Sequence, residues 1–156
     1  MTTSRPATSP TAVVVPTPLA PSVLVWHAFV LRKAAQRVTA LAEERLGPVG
    51  LTMRHFGVLS SVAAEPGQNQ RLLGERLRID RTTVVQLTDD LEGAGLLERR
   101  RGVDRRTFSL HLTPAGGKKL KQLDRLMAEV HEEFLAPLSA AERAMLHDLL
   151  VKVTVG

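Results

Sequence analysis

Residues 80–114 read DRTTVVQLTDDLEGAGLLERRRGVDRRTFSLHLTP, and a change of period inside this run decides the fold. In its first half Val84, Leu87 and Leu91 follow one another by three and then four, which puts one apolar stripe on a helix. Asp80 stands just before that stripe and is placed to cap a helix over 81–93, because its short carboxylate can accept an orphan N–H of the first turn. After Gly95 the period becomes two. Residues 96–101 read as a strand and Gly102, Val103 and Asp104 as a turn. Phe108, Leu110 and Leu112 then alternate with Thr107, Ser109 and His111, so all three apolar side chains are expected on the core face of a hairpin. Thr113 followed by Pro114 reads as an N-cap with proline at the first helical position, where its missing N–H costs nothing.

Upstream, residues 69–77 carry Leu72, Leu73 and Leu77, and a turn at Arg78, Ile79 and Asp80 joins them to the next helix as a helix-turn-helix. Thr52 is expected to cap a helix over Met53–Ala64 with Phe56, Leu59 and Ala63 inward, ended by Glu65, Pro66 and Gly67. Ser22 is expected to cap one long helix over 22–46, stopped by Gly47 and Pro48. Its first two turns are apolar nearly all round, more surface than a small monomer can cover, which points to burial against a second subunit. Downstream, Leu120, Leu123, Met127, Val130 and Phe134 alternate spacings of three and four. Pro137 closes that helix. Ser139 and Glu142 form a capping box for a last one with Met145, Leu146, Leu149, Leu150 and Val153 inward.

The expected fold is mainly α with a small β-hairpin wing (α+β): a winged helix-turn-helix with N- and C-terminal helical dimerisation regions. Residues 1–21, which hold five of the nine prolines, read as a disordered tail, 22–50 as a dimerisation helix, 51–113 as the winged helix-turn-helix and 114–156 as dimerisation helices.

Composition excludes several classes. Without cysteine there are no disulfides, thiolate metal sites or thiol sensors. The five histidines never recur at three or four on one helix, so no metal is expected. Phosphate-binding, dinucleotide and nucleophile-elbow motifs are missing too, so the chain is expected to be no enzyme and to need no cofactor. The apolar stretch 22–31 stops at Arg32 and Lys33, half of what a bilayer needs, and a cytoplasmic protein without a membrane partner is expected. One Trp, four Phe and no Tyr are too few rings for a single-strand stacking platform.

The charge points to duplex DNA. Residues 98–106, ERRRGVDRR, set five arginines against two carboxylates, a net +3 of the chain's +5. Arg99, Arg100, Arg101, Arg105 and Arg106 are candidates for a wing laid along the phosphate backbone, with one guanidinium in the minor groove and Asp104 holding Arg106 in its reaching rotamer. On the helix after Asp80, Arg81, Thr82, Thr83, Val85 and Gln86 are the candidates for the major groove. Arg81 suits a phosphate, Gln86 an adenine edge and Val85 a thymine methyl. Arg71, Arg76 and Arg78 are further backbone candidates, with an ordinary surface pair such as Arg71 to Glu75 as the competing role. Two other readings remain: a winged-helix protein-interaction module, and a basic architectural protein without sequence preference.

The run from Leu91 to Arg99, then Asp104, Arg105 and Arg106, then Leu112, Thr113, Pro114, Ala115 and Gly116 resembles the MarR-type transcriptional regulators, in which these three blocks follow at these separations. Leu51 and Thr52 with Phe56 and Leu59 look like the opening of that family's second helix. The likeness covers about residues 22–154. It departs from the pattern in a short wing turn at Gly102 and Val103, and in Asp80 where members often have serine. The resemblance implies a homodimer joined by its first and last helices on a pseudo-palindromic DNA operator. It also implies a repressor released by a small-molecule inducer, often an aromatic or phenolic anion. The ligand-pocket candidates are Trp26, Phe29, His55 and Phe56, the bulkiest side chains on the two helices expected to flank such a ligand.

Overall fold

A proline, not a serine, starts the first helix. The computed structural model describes residues 18–101 and 108–155, so residues 1–17 of the proline-rich tail and the wing turn with Asp104, Arg105 and Arg106 lie outside the described residues. The chain divides into two units at Lys33 and Ala34. In the first, α1 (Pro21–Leu24) has Pro21 at its first position and Ala20 before it, so Ser22 is no cap. The expected single helix is broken at Val25 and Trp26. The Trp26 carbonyl then accepts from Phe29 N and Val30 N as α2 (His27–Leu46) begins. Val23 and Val25 lose rotamer freedom in a helix, and Leu24, Val25 and Trp26 are exposed, so no packing offsets that loss. At the other end α2 stops at Leu46, before Gly47 and Pro48, as read from the sequence.

The second unit is organised by helix caps and one strand pair. Thr52 caps α3 (Met53–Ala64), Asn69 caps α4 (Gln70–Leu77) and Asp80 caps α5 (Arg81–Gly93). Strands β1 (Leu97–Arg101) and β2 (Phe108–Leu112) pair antiparallel, from Leu97 opposite Leu112 to Arg101 opposite Phe108. The free side of β2 is met at Leu110 by the backbone of Gly67 and Gln68. Thr113 caps α6 (Pro114–Leu135), and Ser139 with Glu142 forms the box that opens α7 (Ala140–Val155).

α3 packs against α4, α5, α6 and β2. Leu59, Leu73, Leu91, Leu97, Leu110 and Leu123 are fully buried there, each contributing about 1.5–3 kcal/mol by leaving water. Three expectations are corrected. On α3 Leu59 is buried and Phe56, half-buried, packs against the same core, as expected, but Ala63 is exposed and Val58 and Val62 complete the inward face in its place. Phe108 is 48% exposed: it lies two residues, about 7 Å, beyond buried Leu110 along the strand and past the edge of the core. On α7, Met145, Leu149, Leu150 and Val153 are exposed, since the described residues offer that stripe no covering surface.

Candidate nucleic-acid interface

The turn between α4 and α5 is built by close approach. A side chain at Gly74 would place its Cβ 3.0 Å from Val84 Cγ2 and 3.1 Å from the Ile79 carbonyl, so the two helices cross at the separation of a bare backbone. Arg78 ends α4 in the left-handed conformation at φ 52°, and its guanidinium donates to the Thr154 carbonyl at 3.3 Å. Asp80 then accepts from Thr83 N at 2.9 Å and from its hydroxyl at 2.6 Å. The Thr83 hydroxyl first, and then its backbone N–H, hold the Asp80 carboxyl below its ordinary value. Thr83, a candidate for the major groove, is thus half-buried and engaged in the cap. Arg81, Thr82, Val85 and Gln86 are exposed together on the N-terminal turns of α5.

Beside this face runs a groove of about 850 Å³ between α4, α5 and the start of β2. Ile79, Val85 and Phe108 give it apolar walls, and Arg71, Arg78 and Arg81 stand along it. Arg71 pairs with Glu75 at 2.6 Å, the competing role named for it above, and Arg76 pairs with Glu65. In the wing, Arg100 pairs with Glu98, while Arg101 is exposed opposite Phe108.

Arg99 departs from the expectation of an outward wing cation. Its side chain is 18% exposed and turned onto α5, where it pairs with Asp89 and Glu92 and donates to Thr88 Oγ1 at 2.8 Å. The alternation contained this signal: Arg99 is two residues from buried Leu97 and directly opposite buried Leu110, so it shares their face. Thr88 and Gln70 were missed altogether. Thr88 lies four residues after Val84 on the buried stripe and is itself fully buried, and Gln70 Nε2 donates to its hydroxyl at 2.5 Å.

Of the ligand-pocket candidates, Trp26 (exposed) and Phe29 (half-buried) stand in the first unit, with Arg32 and Lys33 over the Phe29 ring. His55 and Phe56 stand in the second. Thr52 N donates to His55 Nδ1 at 3.2 Å, which leaves the ring proton on Nε2, 3.5 Å from Asp90 Oδ2. His55 therefore completes the α3 cap. Among the described residues no cluster of His, Asp or Glu could hold a metal, and no helix is long and apolar enough to cross a membrane.

This arrangement has known counterparts. The model of the MarR family matches residues 49–107. A protein of Thauera aromatica assigned as a transcriptional regulatory protein for the hcr operon is 34% identical over 105 residues, 67% of this chain and 63% of that protein. The match thus spans less than two thirds of that relative. The transcriptional repressor CouR, solved on a 23-mer DNA duplex, superposes with TM-score 0.81 at 33% identity, over 88% of this chain and 99% of that one. The PcaV transcriptional regulator of Streptomyces coelicolor, solved with its natural ligand, gives TM-score 0.74 at 31% identity, over 87% and 96%.

Proposed function

The chain belongs to the MarR family, transcriptional regulators that bind DNA through a winged helix, and on that premise we propose that it is a homodimeric repressor released by a small anionic, aromatic or phenolic inducer. One observation carries the reading: Thr82, Val85 and Gln86 present an open, uncharged face at the start of α5, flanked by Arg81 and by the wing. Two copies related by a two-fold axis set their α5 helices in major grooves roughly 34–36 Å apart. Gln86 pairs with an adenine edge, Val85 meets a thymine methyl, Thr82 bonds a base or phosphate and Arg81 a phosphate. Arg100, Arg101 and Arg105 follow the backbone, and Arg106, oriented by Asp104, enters the minor groove. The exposed apolar stripe of α7 supports the dimer, because Met145, Leu149 and Val153 would be left in water otherwise.

Binding to DNA from the chain's own promoter and to random duplex, at physiological salt, tests the reading. Preference for the promoter supports it, and equal affinity would make the protein an architectural one. Arg106→Ala is expected to weaken both complexes and lower the salt slope by about 0.9. Gln86→Ala is expected to relax preference at one position of each half-site and leave the slope unchanged.

A further inference from the structure

Among the described residues of the wing, Arg99 is the most thoroughly bonded cation. Its Nη1 donates to Glu92, and its Nη2 donates to Asp89 and to Thr88 Oγ1. Its backbone N–H also donates to Glu92 Oε1 at 3.1 Å. A guanidinium used in this way cannot reach a phosphate without leaving two carboxylates of α5 unpaired beside the DNA-facing surface. Thr88 is just as fully engaged. Its two lone pairs accept from Gln70 Nε2 and Arg99 Nη2, and its one proton is shared between the Val84 and Val85 carbonyls, each at 2.9 Å. One buried hydroxyl therefore joins the start of α4, the middle of α5 and the first wing strand. Thr88 is fully buried, so its hydroxyl is closed to water, whereas Asp89 and Glu92 at the rim of the junction stay exposed.

We propose that Arg99 and Thr88 are positioning residues that bolt the wing to α5 and so set the angle at which the two meet DNA, with Arg99 making no contact to DNA itself. The inference rests on the operator-binding reading above. It divides the wing arginines in two: Arg99 faces inward and neutralises Asp89 and Glu92, while the positions beyond it are left to meet the duplex. Without Arg99 those two carboxylates would repel phosphate and the wing would lose its anchor.

The full chain with Thr88→Val, Thr88→Ser, Arg99→Gln and the Thr88→Val/Arg99→Gln double change tests this in two ways. In the free protein, hydrogen exchange of the β1 amides is expected to speed up in Thr88→Val and Arg99→Gln and to stay as in wild type in Thr88→Ser. Unchanged exchange in Arg99→Gln would refute the bolt whether or not the chain prefers an operator. On promoter DNA each of those two single changes is expected to weaken binding on the order of tenfold, with the double change little worse than either. The salt slope of Arg99→Gln is expected to equal that of wild type; a fall of about 0.9 would make Arg99 a phosphate contact and overturn the proposal. Independent, multiplying losses would overturn it too. If Thr88→Val does not fold, as judged by far-UV circular dichroism, Gln70→Leu takes its place, since it frees one of the same lone pairs from the side of α4. A wild-type chain with no operator preference would refute the repressor reading and leave the exchange result to judge the bolt.

Discussion

Replacing Gly116 by alanine is expected to destabilise the protein, although alanine is the better helix former. The added Cβ would lie 1.9 Å from the Leu96 carbonyl oxygen and 2.9 Å from its carbon, and an ordinary contact begins near 3.4 Å, so about 1.5 Å must open between α6 and the backbone at Leu96, just before β1. The obstacle is backbone and cannot rotate aside. It is also fastened: Leu96 N donates to the Leu91 carbonyl, and Leu96 O accepts from Thr113 N at 3.2 Å. Thr113 in turn donates its hydroxyl to the Gly95 carbonyl at 2.7 Å while accepting from Gly116 N. Opening the gap strains or breaks two of these bonds, about 0.5–1.5 kcal/mol each. Residual overpacking adds about 1–3 kcal/mol, and the gain in helix propensity returns at most about 1 kcal/mol. The net loss is about 3 kcal/mol, roughly 6–12 °C in Tm for a chain of this size. Gly117, the next residue, is the control: nothing lies within 4 Å of its would-be Cβ, so Gly117→Ala is expected to match or exceed wild type. Thermal melts at 222 nm at one fixed protomer concentration measure both. A Gly116→Ala protein as stable as Gly117→Ala would refute the reasoning.

Acid titration should expose the α7 cap. Hydrogen bonds from the Ser139 hydroxyl first, and then its N–H, hold the Glu142 carboxyl below its ordinary value of 4.5. Because the folded value is the lower one, the box stabilises above the unfolded pKa, and its contribution disappears as pH falls through the folded one. The stability gap between wild type and Glu142→Gln, followed by melts from pH 7 to pH 3, should therefore close on acidification; a gap that widens would contradict the sign. Leu149→Glu is expected to leave the protomer folded, since Leu149 is exposed on it, and to raise the dimer dissociation constant at least tenfold by setting like charges on a self-facing surface. Sedimentation velocity over a range of concentrations reads this directly, and an unshifted dimer would remove α7 from the interface.

Much of the fold was legible because its signals are local. Caps at Thr52, Asp80, Thr113 and Ser139 act within three residues of themselves, and each is found where the sequence placed it. The switch from period three-four to period two after Gly95 likewise appears as the end of α5 and the start of β1. Ser22 failed as a cap because the adjacent Pro21 already suits the first position, a competition between neighbours that a single-residue rule does not weigh.

The recognition face of α5 was legible for the same reason: once Val84, Leu87 and Leu91 are inward, Arg81, Thr82, Val85 and Gln86 must be outward. The role of each wing arginine was not. Arg99 and Arg101 have the same charge and strand parity, yet one meets carboxylates of α5 and the other lies past the core's edge. Sequence by itself determined the elements from α3 onward, the caps at Thr52, Asp80, Thr113 and Ser139 and the inward stripes of α5 and α6, because those depend on residues within one or two turns. Tertiary structure alone decided that Arg99 and Thr88 meet, that Phe108 stays in water and that the α7 stripe has no cover within the described residues. Those outcomes depend on which groups distant segments bring opposite, and the free energy of a guanidinium or a phenyl ring changes sign between water and such a partner.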